Sequence, residues 1–371
     1  MSAITTLLQK PGALIECDDD PEAVFDMLCA KGWSDGFPVI PPTPERVERM
    51  LSYCDRDFDQ PVIKIPPRFG AATPVRVAAN AVMAGCKPEY FPLVLLALET
   101  LAEDQYNLYG TQATTHPCTP MLIFNGPVAR EVGINAGHNV MGNYFRANAT
   151  IGRAVRLALV NIGAAIPGTG DMATAGTPAK WSFCVAENEA ASPWEPLHVE
   201  MGYAKDTTTV TVVAAEGPHN VNDHESLTPE GILRMVSGTM ATTGSNNAYY
   251  AGQPVLAFGP EHAATVAAKG MTKAQVKQWL YDDAVIPLSR FSEENIARRF
   301  RRRNAEQYAN APLDTPVHMW QKPDDLIIIV TGGAGKHSQY VPTFGITRAA
   351  TRPLKRADGE LVKSIAEFKR G

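Results

Sequence analysis

Long apolar runs are missing from this chain of 371 residues. None is long and uncharged enough to span a bilayer, and the start of the chain, with Glu16 to Asp20 close behind it, lacks the basic region and long apolar segment of a secretion signal. A cytoplasmic protein with no membrane partner is the expectation. Cysteine is sparse: Cys17, Cys29, Cys54, Cys86, Cys118 and Cys184 are scattered without a CxxC pair, so neither a zinc knuckle nor a disulfide framework is encoded. A basic stripe is missing too. The net charge is −5, and the one dense cluster, Arg298, Arg299, Arg301, Arg302 and Arg303, reads as an exposed helix face or a subunit contact; an oligomer is expected and nucleic acid is not. Nucleotide signatures are absent as well. The stretch Gly332-Gly333-Ala334-Gly335-Lys336-His337-Ser338 would need glycine at Val330 and Ser or Thr at His337 to be a P-loop. No strand is followed by GxGxxG with an acidic residue downstream, and Gly168-Thr169-Gly170-Asp171 is too short to substitute, so there is no NAD or ATP signature.

What is present is a globular composition, 45% hydrophobic and 20% charged, on a chain long enough for two packed subdomains or one large α/β domain. Helical patterns run from Asp20 to Cys29, into Met50 after Pro44, from Val75 to Met83, from Phe91 to Leu101, from Ala147 to Ile162 and from Ile232 to Met240. Short apolar or β-branched runs at Met121–Phe124, Thr207–Ala214, Val255–Phe258 and Leu326–Thr331 read as buried strands, each running into a glycine-bearing loop. The expected fold is α/β, with a mixed or parallel sheet and helices on both faces. Helix, polar turn, strand and glycine turn occur twice in that order, which allows two related α/β halves. The expected division is a leader with the first helix over 1–30, an N-terminal half over 31–175, a C-terminal half over 176–352, and a tail over 353–371. In open α/β sheets ligands bind beyond the carboxyl ends of the strands, so strand-end loops carrying His219, His262 and Lys336, joined by His116, are where chemistry is expected.

Reactive side chains crowd between Lys180 and His224, where three of the eight histidines fall. The densest part is Glu216-Gly217-Pro218-His219-Asn220-Val221-Asn222-Asp223-His224, read as one loop after a strand. His219 and His224 are the acid–base candidates, Asp223 would orient an imidazole, and Asn222 and Lys180 would hold a polar substrate. A divalent metal is an alternative use of Glu187, Glu189, His198, Glu200 and His219, although His-x4-His in a loop is not the helical zinc spacing and structural hydrogen bonding ranks ahead of it. His198 and Glu200 would share a face if Leu197 to Met201 is extended; an ordinary ion pair explains them equally well. Arg146 and Arg153 fall on one face of a helix with Thr150 between them, and with Asn148 could grip a carboxylate or phosphate; a solvated arginine stripe is the alternative. The glycine loop before Lys336 and His337 could offer backbone N–H groups and a lysine to an anion at a helix N-terminus. Cys86, beside Lys87 and ahead of a helix start after Pro88, is the candidate nucleophile, against a buried structural cysteine; His116 could pair with it or with Cys118.

Several motifs together carry a resemblance. They are Trp33-Ser34-Asp35-Gly36-Phe37-Pro38-Val39-Ile40-Pro41-Pro42-Thr43, Asn80 to Tyr90 around Cys86, Gln112 to Pro117, Arg146 to Arg153, Ala186-Glu187-Asn188-Glu189 and Glu216 to His224. In this order, from about Lys31 to Arg352, they resemble an uncharacterised bacterial family associated with UGSC-type thiol or selenol (seleno)proteins. The resemblance implies a partner protein bearing a Gly-Ser-Cys or selenocysteine motif and sharing one site with this chain, which has no Gly-Ser-Cys of its own. Cys118 departs from the small apolar residue expected there, which argues against a general catalytic role for it.

The residues taken together lead to the expectation of a lyase or hydrolase that acts on a small carboxylate-bearing or acyl metabolite by His and carboxylate acid–base chemistry. The alternative is one subunit of a two-chain redox or thiol/selenol-dependent complex whose reactive group comes from the partner.

Overall fold

The computed structural model describes residues 14–370; most of the expected leader, residues 1–13, lies outside them. The strands, in chain order, are β1 Ile63–Ile65, β2 Gly70–Ala72, β3 Thr119–Asn125, β4 Cys184–Ala186, β5 Thr209–Ala215, β6 His219–Asn222, β7 Val255–Phe258, β8 Val285–Pro287, β9 Pro316–His318, β10 Ile327–Val330, β11 His337–Val341 and β12 Ala350–Pro353. The fold is α/β, with open sheets that mix parallel and antiparallel pairs. Among the described residues no helix is long and apolar enough to cross a membrane.

The chain divides into two compact units that interleave along the sequence. The first takes the chain up to Glu187, then His198–Ala214 and the stretch from Ala349 onward; the second takes Asn188–Leu197 and Ala215–Arg348. Sheet pairing is the reason that no single cut between 175 and 176 describes them: β5 and β12 join β3 and β4 in one sheet of order β12-β5-β3-β4. The four expected strands therefore separate, β3 and β5 into this sheet, β7 and β10 into another of order β10-β7-β11-β6.

In the first unit, helix α1 (Pro74–Ala84) begins where the Thr73 hydroxyl accepts from the Arg76 N–H and Pro74 fills the first helical position. It packs against α2 (Phe91–Leu101), almost wholly buried, and most extensively against α3 (Arg146–Asn161). The α3 face toward the core carries Ile151, Ala154, Val155, Ala158 and Leu159, each no more than 1% exposed. Strand β3 is buried at every position and pairs parallel with β4, matching its continuous apolar run.

In the second unit β7 and β10 are parallel and buried throughout, while β11 runs antiparallel to both β7 and the edge strand β6. Three helices cover the sheet face carrying Val221, Leu256, Phe258, Ile328 and Tyr340: α4 (Pro229–Met240), α5 (Pro260–Ala267) and α6 (Lys273–Asp283). Helix α4 is capped by Thr228, whose side chain accepts from the Gly231 N–H, and α6 by a reciprocal Thr272–Gln275 capping box.

Gly126 turns the chain after β3 with φ +92°, and a Cβ there would run into the carbonyl oxygen of Thr207. Gly126→Ala should cost about 1–3 kcal/mol from a strained left-handed residue. A lowered urea midpoint with unchanged m-value is the expected reading.

Candidate functional site

In the second unit, β6 and β11 pair in a register that sets His337 opposite Asn222 and Gln339 opposite Asn220. The expected single loop from Glu216 to His224 is thus corrected: its middle, His219–Asn222, is an edge strand. The glycine stretch before Lys336 is corrected too, because it leads into β11 and not into a helix N-terminus. The physical reason is alternation: Asn220 and Asn222 share one face of β6 while Val221, buried, takes the other, a half-buried strand pattern that polar content alone disguises.

This pairing joins the two most reactive motifs. His224 and His337 meet with their Nε2 atoms 3.2 Å apart, ring planes at 77°. His337 Nδ1 lies 3.2 Å from the Asn220 side-chain oxygen, an acceptor, so Nδ1 carries the proton and Nε2 offers its lone pair to His224. Lys336 donates from Nζ to the His224 carbonyl oxygen at 2.7 Å, which puts an ammonium beside the pair. The anion position of the glycine loop is filled from within the chain: the Gly335 N–H donates to Glu261 Oε1 at 2.7 Å.

Behind the pair lies a buried network. His262, 1% exposed on α5, donates from Nε2 to the Asp223 carbonyl oxygen at 2.9 Å. Its Nδ1 accepts from the Ser338 hydroxyl at 2.8 Å, and the Ser338 oxygen accepts from the Gly259 N–H at 3.1 Å. Asp223 precedes His224 and Ser338 follows His337, so one imidazole holds the chain neighbour of each paired ring. Gly259 is required by closeness, since a Cβ there would meet the His337 carbonyl oxygen. The Asp223 carboxyl does not orient an imidazole as expected; its Oδ1 accepts from the N–H groups of Glu225 and Ser226 and shapes the turn. Burial raises this carboxyl, but the Ser226 and Glu225 hydrogen bonds and nearby His262 outweigh it and hold it below its ordinary range.

The remaining expected residues serve other ends. His219 is exposed on the β6 face opposite Asn220, and the partner that His224 finds is His337. Lys180 is spent on Asp171, with Nζ 2.8 and 2.6 Å from its two carboxylate oxygens. Arg153 forks Asp35 through Nε and Nη2, both at 2.7 Å, and also donates to the Phe37 and Pro38 carbonyls. Its grip on anions is used on the Trp33–Pro38 turn. Arg146 donates to the Gly85 carbonyl, and buried Asn148 donates to the Asn135 and Cys184 carbonyls while accepting from the Asn135 N–H. The basic face of α3 is therefore a clamp on neighbouring turns. His116 sits in the first unit, its N–H donating to the Thr114 hydroxyl.

The candidate metal ligands do not form a set. Leu197–Glu200 is a short helix, which overturns the extended reading that put His198 and Glu200 on one face; His198 is fully buried against the Lys205 carbonyl. Glu187 accepts from Asn125 Nδ2 in the first unit, whereas Glu189 and His219 belong to the second. Among the described residues no three His, Cys, Asp or Glu side chains gather as a metal group. Sequence reasoning counted Asn220 only among the loop's carboxamides and missed Glu261 and Ser338, whose signals were no more than adjacency to His262 and to His337.

Cys86 is 6% exposed and its thiol donates to the Thr150 carbonyl at 3.2 Å. Burial pushes this thiol up to about 12, the Thr150 contact and the charges of Arg146 and Arg153 only partly opposing it. The expected activation by Lys87 fails because Lys87 Nζ pairs with Glu89 at 3.6 Å. In the native protein iodoacetamide should label exposed Cys17 and Cys29 and spare Cys86, as peptide mapping by mass spectrometry would read. The stability held by the neutral Cys86 thiol is full below the unfolded value of ~8.5 and is lost as pH rises from there toward 12.

Ser338→Ala would strand the Gly259 N–H and His262 Nδ1 in the interior and should cost about 1–3 kcal/mol, read as a lower urea midpoint. No protein-family model matches the chain and no curated protein matches it, so the chemistry rests on the site's own geometry.

Proposed function

We propose that the chain is a small-molecule enzyme, of lyase or hydrolase type, that acts on a carboxylate-bearing or acyl metabolite with His337 as general base and His224 as general acid. The observation that carries this reading is the Nε2-to-Nε2 approach of 3.2 Å between the two rings. That contact needs one N–H and one lone pair, so a proton lies between two groups able to give and take it. A substrate entering between the rings would lose a proton to His337 Nε2, whose tautomer Asn220 fixes, and gain one from His224 Nε2. Lys336, tied to the His224 carbonyl by one of its N–H groups, would hold the substrate's anionic part with the others. Both rings are exposed, which leaves them open to a substrate. A cytoplasmic location agrees with six free cysteines, and an oligomer would use the exposed arginines Arg298, Arg301, Arg302 and Arg303.

A second reading is favoured by the burial of Cys86. If the family resemblance holds, a reactive thiol belongs to the function, and this one is shielded, so a Gly-Ser-Cys or selenocysteine partner would supply it.

The test is turnover of a metabolite mixture by the purified chain, followed by mass spectrometry, with His337→Gln and His224→Gln compared. The acid–base reading expects each variant to lose about 10²–10⁴-fold in kcat with the fold intact by circular dichroism. Unchanged turnover in His337→Gln would sink it. Activity that appears only after a Gly-Ser-Cys partner is added would favour the second reading.

A further inference from the structure

A cavity of about 260 Å³ in the second unit shares no residue with the His262 network. It lies between the helix Asn246–Tyr250, the end of α6, β9 and a π-helix over Ile296–Arg303. Winding of that kind is uncommon and recurs at functional sites. Among the described residues no carboxylate and no lysine lines the space. Its one guanidinium, Arg299, is turned into the wall: Nε is sealed off, Nη2 donates to the Tyr249 carbonyl, and the group lies over the Tyr250 ring, 4.1 Å from its centre. What the cavity offers a ligand is hydrogen bonding rather than a bare charge.

That hydrogen bonding is unspent. The carboxamides of half-buried Asn304 and of exposed Gln307 and Gln321 line the space and bond to no group among the described residues. Asn304 stands ahead of the helix Ala305–Tyr308 without capping it. Tyr308 is 4% exposed, and its hydroxyl has no partner among the described residues; it is not sealed off as Arg299 Nε is, so it opens onto the cavity. Tyr281, on the same wall, is satisfied, because its hydroxyl donates to the Gln321 carbonyl at 3.0 Å. Burial, and secondarily Tyr281, raise the Tyr308 hydroxyl above its ordinary range, so it stays protonated and serves as donor and acceptor. An apolar occupant would strand these groups, whereas one whose own groups both donate and accept would satisfy them.

Hydroxyl groups are of that kind, and in a sugar they surround a ring whose C–H bonds form a flat face. Positively polarised C–H hydrogens suit the negative face of an aromatic ring, and Tyr250, 40% exposed, keeps ring surface open beyond the face that Arg299 covers. We propose that this cavity binds one neutral sugar ring, with the carboxamides of Asn304, Gln307 and Gln321 and the Tyr308 hydroxyl bonded to its hydroxyl groups and Tyr250 against its C–H face. The volume lies below the ~300–1,000 Å³ of drug-sized sites, which admits a single ring and not an oligosaccharide laid within it. The cavity's residues do not include His224 or His337, so this binding is independent of the acid–base reading.

The experiment titrates the full chain by calorimetry with D-glucose, D-galactose, D-mannose and D-xylose, and with glycerol, cyclohexanol and D-glucuronate as controls. At least one of the sugars is expected to bind at one site, about tenfold or more tighter than glycerol or cyclohexanol and no weaker than glucuronate. Both glutamines are exposed, so the double variant Gln307→Ala/Gln321→Ala should fold as the wild type does and lose about tenfold or more in affinity for that sugar. Tyr308→Phe, which keeps a ring in the core, should lose severalfold. No saturable binding of any of these sugars, glycerol or cyclohexanol binding as tightly as the best of them, glucuronate binding more tightly, or affinity unchanged in both variants would overturn the proposal. Because the glutamines lie at the surface, their variant decides the matter even if Tyr308→Phe fails to fold.

Discussion

One buried imidazole organises the second unit. His262 bonds at one nitrogen to the backbone after β6 and at the other to a hydroxyl on β11, while its own helix starts at the end of β7. Three segments distant in sequence are thereby fixed by a side chain with no freedom of tautomer, since a carbonyl can only accept and Ser338, already accepting from Gly259, donates. Buried polar groups in such a chain specify one arrangement because every alternative leaves a donor or acceptor stranded. His224 and His337 are exposed and would otherwise be free to swing; what holds them is that the residues next to them are locked.

The first unit solves a similar problem with charge. Arg153 gathers the Asp35 carboxylate and two carbonyls of the Trp33–Pro38 turn onto α3, and Arg146 does the same for the turn bearing Cys86. Planar, multidentate guanidinium contacts suit this, because one side chain satisfies several backbone acceptors that a turn leaves open. The same property makes such residues look like ligand clamps when only their sequence is read.

The fold was legible where the pattern had one explanation. Continuous apolar runs at Met121–Phe124, Val255–Phe258 and Leu326–Thr331 became buried strands, and helices such as Pro74–Ala84 begin at caps visible in the sequence. The division into units was not legible, because strand partners such as β5 and β12 are chosen by tertiary packing across long separations. At the site, His224, Lys336 and His337 were named, but not that two of them meet: β6 is four residues long and polar at three of them, and reads as a loop until β11 is placed beside it. Lys180 and Arg153 were read as substrate groups because their carboxylate partners, Asp171 and Asp35, lie nine and 118 residues away, and spacing does not reveal who neutralises whom.

The Glu261 carboxylate on the Gly335 N–H bears on which part of the edge an anion can use. A backbone amide already bonded to a carboxylate offers nothing to a substrate anion unless that carboxylate leaves, and while it stays its charge repels a second one from the same place. The ammonium of Lys336, one residue on, is bonded to a neutral carbonyl and keeps its charge available. The two contacts divide the loop into a side closed to anions and a side open to them, and the open side is the one joined to His224. On the proposed function, an anionic substrate would be directed toward the histidine pair by what the glycine loop has already bound.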